Sequence, residues 1–170
     1  MSFPYHVGQM PLYYNRMNTG RPRHDEFKAG AYISQYLDYP NIALYPFGYG
    51  LSYADFEISE PTVSADVMKR GGSITVSAEL KNLSDREGSA LVQLYIRDTV
   101  ASLVRPIKEL RGFKRVRLGA NESSRVEFTV TEDDLKFYTK DAGFAAESGE
   151  FKLFVGLSSA EERAVSFNLE

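Results

Sequence analysis

Residues 74–80 read Ile74-Thr75-Val76-Ser77-Ala78-Glu79-Leu80, and apolar and polar side chains alternate along them one by one. The same alternation recurs at residues 92–97, 126–130, 151–155 and 165–169. A period of two residues indicates β-strands with one face buried and the other in water, which is typical of antiparallel sheets. Less regular strand candidates lie at residues 56–59, 108–116 and 143–146.

Turn-forming residues separate these strands at 70–72, 82–85, 118–121 and 147–149. Seven or eight short strands with no long helix predict an all-β fold, an immunoglobulin or fibronectin III-like β-sandwich over residues 54–170. Thr131 is followed three residues later by Asp134, a near match to a capping box, so one helical turn is expected there. The chain has no cysteine, which excludes the antibody subtype with its disulfide.

The first 53 residues, called the arm below, have a different composition. They hold nine of the eleven tyrosines and five of the seven prolines, and they show no sustained period. Repeated proline breaks helices and strand ladders, yet so many aromatic residues are unlike a disordered tail. The arm is therefore expected to be irregular and to pack either on another surface or as an aromatic loop on its own domain. Composition leaves both interpretations open.

Length and charge exclude several classes of protein. A chain of 170 residues is too short for a TIM barrel, and a net charge of -3 gives no reason to expect a nucleic acid partner. No apolar run is long enough to span a membrane. We expect no secretory signal at the start, because no basic stretch precedes an apolar one.

The candidate catalytic groups are few. Glycosidase chemistry needs two facing carboxylates, and the visible pairs are Asp133-Asp134 and Glu161-Glu162. We interpret the first as a helix N-terminus and the second as part of a hairpin turn. His6 and His24 are 18 residues apart and lack metal-ligand spacing. The sequence thus predicts no catalytic, substrate-binding, metal or cofactor residue.

Three further patterns have ordinary structural interpretations. The Gly48-Tyr49-Gly50 segment lacks the lysine and the following helix of a phosphate loop, so tight bends among packed rings are expected. The basic series Arg105, Lys108, Arg111, Lys114 and Arg117 is interpreted as an exposed strand rather than a nucleic acid stripe. Asn82 and Asn121 begin N-glycosylation sequons, which are weak signals because both fall in predicted turns.

Four stretches resemble a known family. Residues 39–56 read YPNIALYPFGYGLSYADF and resemble the LYPFGYGLSYTxF signature of glycoside hydrolase family 3, which includes β-glucosidases and β-xylosidases. Residues 7–22 resemble the VGQxPxYYNxxNTGRP stretch near the end of that family's α/β domain. Residues 92–98 and 105–113 resemble the VQLYIRD and RPVKELKGF stretches of its fibronectin III-like third domain. The matches run in order over nearly all of the chain.

The departures from the family pattern bear on catalysis. The resemblance implies a nucleophilic Asp in a Ser-Asp-Trp context, but this chain has no Trp, and its only Ser-Asp pair, Ser84-Asp85, is followed by Arg86. The family's general acid/base is a Glu in a region upstream of the matched one. Neither catalytic carboxylate can be carried over. The chain is therefore expected to be a C-terminal fragment, in which residues 1–30 finish the α/β domain and residues 31–53 link it to the sandwich.

The resemblance implies a function by association with a larger enzyme. The expected function is a non-catalytic structural domain of a family 3 β-glycosidase, whose parent hydrolyses terminal β-glycosidic bonds with retention and is periplasmic or secreted. The expected partners are the upstream catalytic domains, with self-association through the arm when they are missing. Two alternatives remain: a carbohydrate-binding module, favoured by the tyrosine-rich arm, and a general protein-interaction sandwich.

Overall fold

The computed structural model describes residues 1–10, 12–18, 36, 38–141 and 143–170. Eleven strands lie in this described part of the chain, and two single turns of 3-10 helix accompany them at Val7–Gln9 and Glu132–Leu135. The strands are β1 (Phe56–Ile58), β2 (Thr62–Val63), β3 (Val67–Met68), β4 (Ser73–Asn82), β5 (Gly88–Asp98), β6 (Glu109–Leu118), β7 (Ser123–Thr131), β8 (Phe137–Tyr138), β9 (Phe144–Ala145), β10 (Gly149–Gly156) and β11 (Val165–Leu169).

Two sheets pack face to face. In the first sheet, β4 pairs antiparallel with β7 along its whole length, while β1 and β2 share its other edge. The second sheet has the order β3-β11-β10-β5-β6 and is antiparallel except where β3 meets β11. Strands β8 and β9 form a separate two-stranded hairpin. The fold is the all-β sandwich that the alternating sequence predicts.

The core lies between the two sheets and is built from the apolar members of each alternation. Val76 and Leu80 of β4 face Val92 of β5 and Leu153 of β10, and all four are completely buried. The expected helical turn follows β7, where Asp134 accepts hydrogen bonds from both the backbone and the hydroxyl of Thr131 at 2.8 Å.

One expectation from the alternation is wrong. The polar-phase positions of β5 and β10 should face water, yet Gln93, Tyr95 and Phe154 are buried. These two strands are therefore covered on both faces. The arm covers Gln93 and Tyr95, and Lys108 of the loop between β5 and β6 lies over Phe154. These contacts position the candidate site described next.

The part of the chain that the structure describes contains no helix with the length and apolar character of a membrane span.

Candidate docking surface

The floor of the site is the outer face of β5 and β10. Tyr95 lies opposite Phe154, and Gln93 lies opposite Gly156, across an antiparallel pairing. Because side chains alternate along a strand, these residues point away from the sandwich core. Tyr95 is completely buried, and this desolvation raises the pKa of its phenol well above the ordinary value.

Aromatic rings of the arm cover this floor. The ring of Tyr14 stacks on that of Phe47 with 4.4 Å between centroids, and its edge contacts Tyr95 at 5.7 Å. The hydroxyl of Tyr14 also accepts a hydrogen bond from the Leu110 backbone at 3.4 Å. Stacked and edge-to-face rings of this kind add to the free energy of simple apolar burial. The arm is thus packed on its own sandwich rather than extended from it.

Gln93 connects the arm to β5 and to the turn after β10 through its side-chain amide. Its Nε2 donates to the carbonyl oxygens of Gly48 at 3.2 Å and Leu157 at 3.1 Å, and its Oε1 accepts from the hydroxyl of Tyr95. Gly48 has a φ of +81°, and a Cβ at this position would lie 2.5 Å from Gln93 Nε2 and closer still to Oε1. Glycine is required here both by the left-handed backbone and by this close approach.

Lys108 holds the turn after β10 against the same surface. Its Nζ donates to the carbonyl oxygens of Ser159 and Glu161 and lies 4.4 Å from the centroid of the Phe154 ring. Burial lowers the pKa of Lys108, and the charges of Glu162 and Glu161 oppose that shift. The backbone of Ser159 in turn donates to the carbonyl of Phe47 at 2.8 Å. Lys108 therefore fixes a turn that the arm itself binds.

An isolated backbone bridge with two hydrogen bonds anchors another part of the arm. Asn18 N donates to Arg105 O at 3.0 Å, and Ile107 N donates to Arg16 O at 2.9 Å, around the bridge between Met17 and Pro106. These contacts tie the arm to the loop that joins β5 to β6, residues 99–108.

The arm also has an internal centre at Gln9, whose side chain is fully buried. Its Nε2 donates to Pro40 O at 2.6 Å and Ile42 O at 2.9 Å, and its Oε1 accepts from Tyr5 N at 2.7 Å. The Gln9 side chain thus joins two segments of the arm that are 31 or more residues apart in the sequence. These hydrogen bonds give an irregular part of the chain a defined shape.

The opposite side of the arm is apolar and exposed. Phe3 and Tyr45 contact edge to face at 6.4 Å, and Tyr45 lies 5.2 Å from Tyr49. Leu51 is 90% exposed and Tyr53 95% exposed. We call these five residues the aromatic surface. One side of the arm therefore packs on its own domain, and the other side has no cover among the described residues; packing of that second side on another surface stays a prediction.

The structure gives the candidate carboxylates structural partners. Asp134 caps the helical turn, and Asp133 forms an ion pair with Lys136 at 2.6 Å. Glu161 is bound by Arg163 at 2.7 Å, close to the hairpin turn expected there, while its neighbour Glu162 is exposed.

The histidines and the glycine segment also have local structural contacts. His6 stacks on Tyr39 at 5.4 Å, and its Nδ1 accepts from Gly8 N at 3.1 Å, while His24 lies outside the described residues. In the described part, no three or more His, Asp or Glu side chains are placed to hold a metal ion. The Gly48-Tyr49-Gly50 segment is the bend that carries the arm over Gln93.

The basic series is only partly an exposed strand. Arg111, Lys114 and Arg117 are exposed on β6, as expected. Arg105 precedes β6, where its guanidinium binds Glu109 and lies 4.2 Å over the ring of Phe137, and Lys108 is half-buried. These two positions contradict the expectation because polar groups of the fold hold each cation: Glu109 binds Arg105, and the carbonyls of Ser159 and Glu161 accept from Lys108.

The two sequons differ in exposure. Asn82 is fully buried and its Nδ2 donates to Arg86 O at 2.7 Å and Gly119 O at 2.8 Å. Asn121 lies exposed in the turn between β6 and β7, at a φ of 55°.

Comparisons with known proteins give this arrangement a context. The fibronectin type III-like domain family matches residues 90–159. The periplasmic β-glucosidase of Salmonella typhimurium is 44% identical over 169 residues, which is 99% of this chain and 22% of that protein. A β-xylosidase of Formosa agariphila is 38% identical over 159 residues, or 94% of this chain and 21% of that protein. The chain belongs to glycoside hydrolase family 3.

The likeness to family 3 extends to solved structures and includes the arm. The crystal structure of β-glucosidase from Listeria innocua in complex with isofagomine superposes with a TM-score of 0.90 at 40% identity, over 99% of this chain and 24% of that one. The chain thus spans about a fifth of the family 3 relatives it matches, and it corresponds to their C-terminal, fibronectin III-like part.

Proposed function

We propose that this chain is the C-terminal, non-catalytic part of a family 3 β-glycosidase, and that its aromatic surface docks against the catalytic domains. The observation that carries the proposal is the exposure of that surface. Leu51 and Tyr53 are almost fully in water, although the same arm buries Tyr14 and Phe47 on the other side. An apolar surface of this kind on a soluble protein marks an interaction site.

The division of the chain follows from the same proposal. Residues 1–53 complete the α/β domain of the parent and link it to the sandwich, which comprises residues 54–170. The bridge between Phe3 and Tyr45 supports this division, because it joins the start of the arm to its end, with no sandwich residue between them. The catalytic carboxylates belong to the rest of the parent.

The parent's activity is proposed from its relatives. β-Glucosidases and a β-xylosidase match this chain, so the parent hydrolyses a terminal β-glycosidic bond with retention. The Salmonella relative is named as periplasmic, and we propose a periplasmic or secreted location for the parent as well.

A graft tests the proposal. The matching segment of the Salmonella β-glucosidase is replaced by this chain, and hydrolysis of p-nitrophenyl β-glucoside is measured beside the intact enzyme and an enzyme truncated before the segment. We expect the graft to be soluble and active and the truncated enzyme to lose activity. The isolated 170-residue chain should show no turnover above a blank.

A graft with Leu51→Ser and Tyr53→Ser is the sharpest variant. Both side chains are almost fully exposed in the isolated chain, so the substitutions should leave its fold intact but weaken docking in the graft. Full activity and full thermal stability of the truncated enzyme, or turnover by the isolated chain, would contradict the proposal.

A further inference from the structure

We propose that Asp98 is a proton-sensitive switch at one end of the core: ionisation of its carboxyl group loosens the β5–β6 loop, residues 99–108, and the arm segment that this loop anchors. The device is independent of the proposed function, because every group in it belongs to this chain.

Asp98 occupies an unusual position for a carboxylate. It lies on the same face of β5 as Val92, Leu94 and Ile96, which are core residues, and it pairs across the sheet with buried Phe151. Its Oδ2 is buried and has no hydrogen-bond partner among the described residues. An ionised oxygen in this setting costs far more free energy than a protonated carboxyl group, although a buried carboxyl group without a partner is also unfavourable.

Two more buried polar atoms of the same region also lack partners in the described part of the chain, Thr99 Oγ1 and Arg105 Nε. The β5–β6 loop therefore has one unsatisfied polar atom at its start, on Thr99, and another near its end, on Arg105. Each such group lowers the cost of opening the loop to water, because water would supply the missing hydrogen bond.

The charges around Asp98 do not compensate its ionisation. The guanidinium of Arg105 attracts the Asp98 carboxylate, but it already forms an ion pair with Glu109. Glu109 forms a second ion pair, with Arg111 at 3.4 Å. The carboxylates of Glu147 and Glu109 both repel an ionised Asp98. The backbone N–H of Ser102 donates a hydrogen bond to Glu147 at 2.8 Å and holds it in place. Burial is the main cause that raises the pKa of Asp98, to about 6, while Arg105 and a hydrogen bond from the Val100 backbone, at the start of the loop, oppose the shift without cancelling it.

The loop transmits this state to the arm. The backbone carbonyl of Arg105 accepts a hydrogen bond from the backbone N–H of Asn18. The backbone N–H of Ile107 donates a hydrogen bond to the carbonyl of Arg16. Opening the loop would break both bonds and release the arm at residues 16–18, while the packing of Tyr14 on Phe47 lies outside the loop.

The direction of the pH effect follows from the raised pKa. The folded chain binds the Asp98 proton more tightly than the unfolded chain, so this contribution to stability is complete below the ordinary pKa of 3.8. It is lost as the pH rises through about 6, and it stays lost above that value.

The first experiment compares melting temperatures of the wild-type chain, Asp98→Asn and the exposed control Asp66→Asn between pH 4 and pH 7.5. Asp98→Asn should melt several degrees above the wild type at pH 7.5 and show no advantage at pH 4. Asp66→Asn should follow the wild type throughout. Equal melting curves for Asp98→Asn and the wild type at pH 7.5 would overturn the proposal.

Two further measurements separate the switch from a general stability effect. The carboxyl carbon of Asp98 in the wild-type chain should titrate by NMR near pH 6, and a midpoint at the ordinary 3.8 would overturn the proposal whatever the variant does. At neutral pH, the amides of Asn18 and Ile107 should exchange several-fold more slowly in Asp98→Asn than in the wild type. Unchanged exchange would overturn the link to the arm.

Discussion

At the scale of single residues, the arm is held at one point of very close approach, where Gly48 passes over Gln93. Both N–H donors of the Gln93 amide are used there, because they donate to two carbonyl groups, and its oxygen accepts from Tyr95. A group so well bonded cannot move aside without leaving buried polar atoms unpaired, which is costly.

Replacing Gly48 by alanine should therefore destabilise the chain. The left-handed backbone at Gly48 and the overlap with Gln93 both act against a Cβ, and we expect a loss of about 1–3 kcal/mol in the free energy of unfolding. Urea denaturation measures it. Gly50→Ala is the matched control, since a Cβ there meets nothing within 4 Å. Equal losses for the two variants would contradict the explanation.

Lys108 is the second residue on which the docked arm depends. Lys108→Met keeps the apolar stem over Phe154 but leaves the carbonyls of Ser159 and Glu161 without their donor. We expect a loss of about 1–3 kcal/mol by chemical denaturation, against little change for Lys81→Met at an exposed position of β4. A Lys108→Met chain as stable as Lys81→Met would show that this donor is dispensable.

At the scale of elements, the capping box starts the helical turn Glu132–Leu135 directly after β7. Asp134→Ala removes both hydrogen bonds to Thr131, and we expect it to cost about 0.5–2 kcal/mol in thermal denaturation. Asp133→Ala removes only an exposed ion pair with Lys136 and should cost much less. The reverse order of the two variants would exclude the capping explanation.

Of the long strands, β4, β5, β7, β10 and β11 could be predicted from the sequence because each alternates over at least five residues, whereas β6 was only a less regular candidate. Strands β2, β3 and β8 could not, since two residues carry no period. Alternation predicts the outer face of β5 wrongly, because it assigns Gln93 and Tyr95 to water, whereas residues of the arm, 45 or more positions away, cover them. Aromatic residues at both Tyr95 and Phe154 were the available signal.

The hydrogen-bond partners of the site residues could not be predicted from the sequence either, because they are distant from those residues along the chain. Gln9 looks like one polar residue in an irregular segment, and only the folded arm brings the Pro40 and Ile42 carbonyls to it. The resemblance to family 3 nevertheless marked the correct segments, because residues 7–22 and 39–56 supply both sides of this contact.

At the scale of the whole molecule, the uncovered aromatic surface should make the isolated chain self-associate. Sedimentation velocity over a range of concentrations should show reversible association of the 170-residue chain. Leu51→Ser with Tyr53→Ser should reduce it, while Val100→Ser, which alters an exposed residue on the β5–β6 loop, should not. A strictly monomeric wild-type chain at high concentration would contradict this prediction.

The central claim is that the aromatic surface is covered when the catalytic domains are present. Hydroxyl-radical footprinting of the graft and of the isolated chain tests it most directly, with fully buried Tyr95 as the unreactive reference. We predict that Tyr45, Tyr49 and Tyr53 are oxidised readily in the isolated chain and are strongly protected in the active graft. Equal oxidation of these three residues in both proteins would contradict the claim.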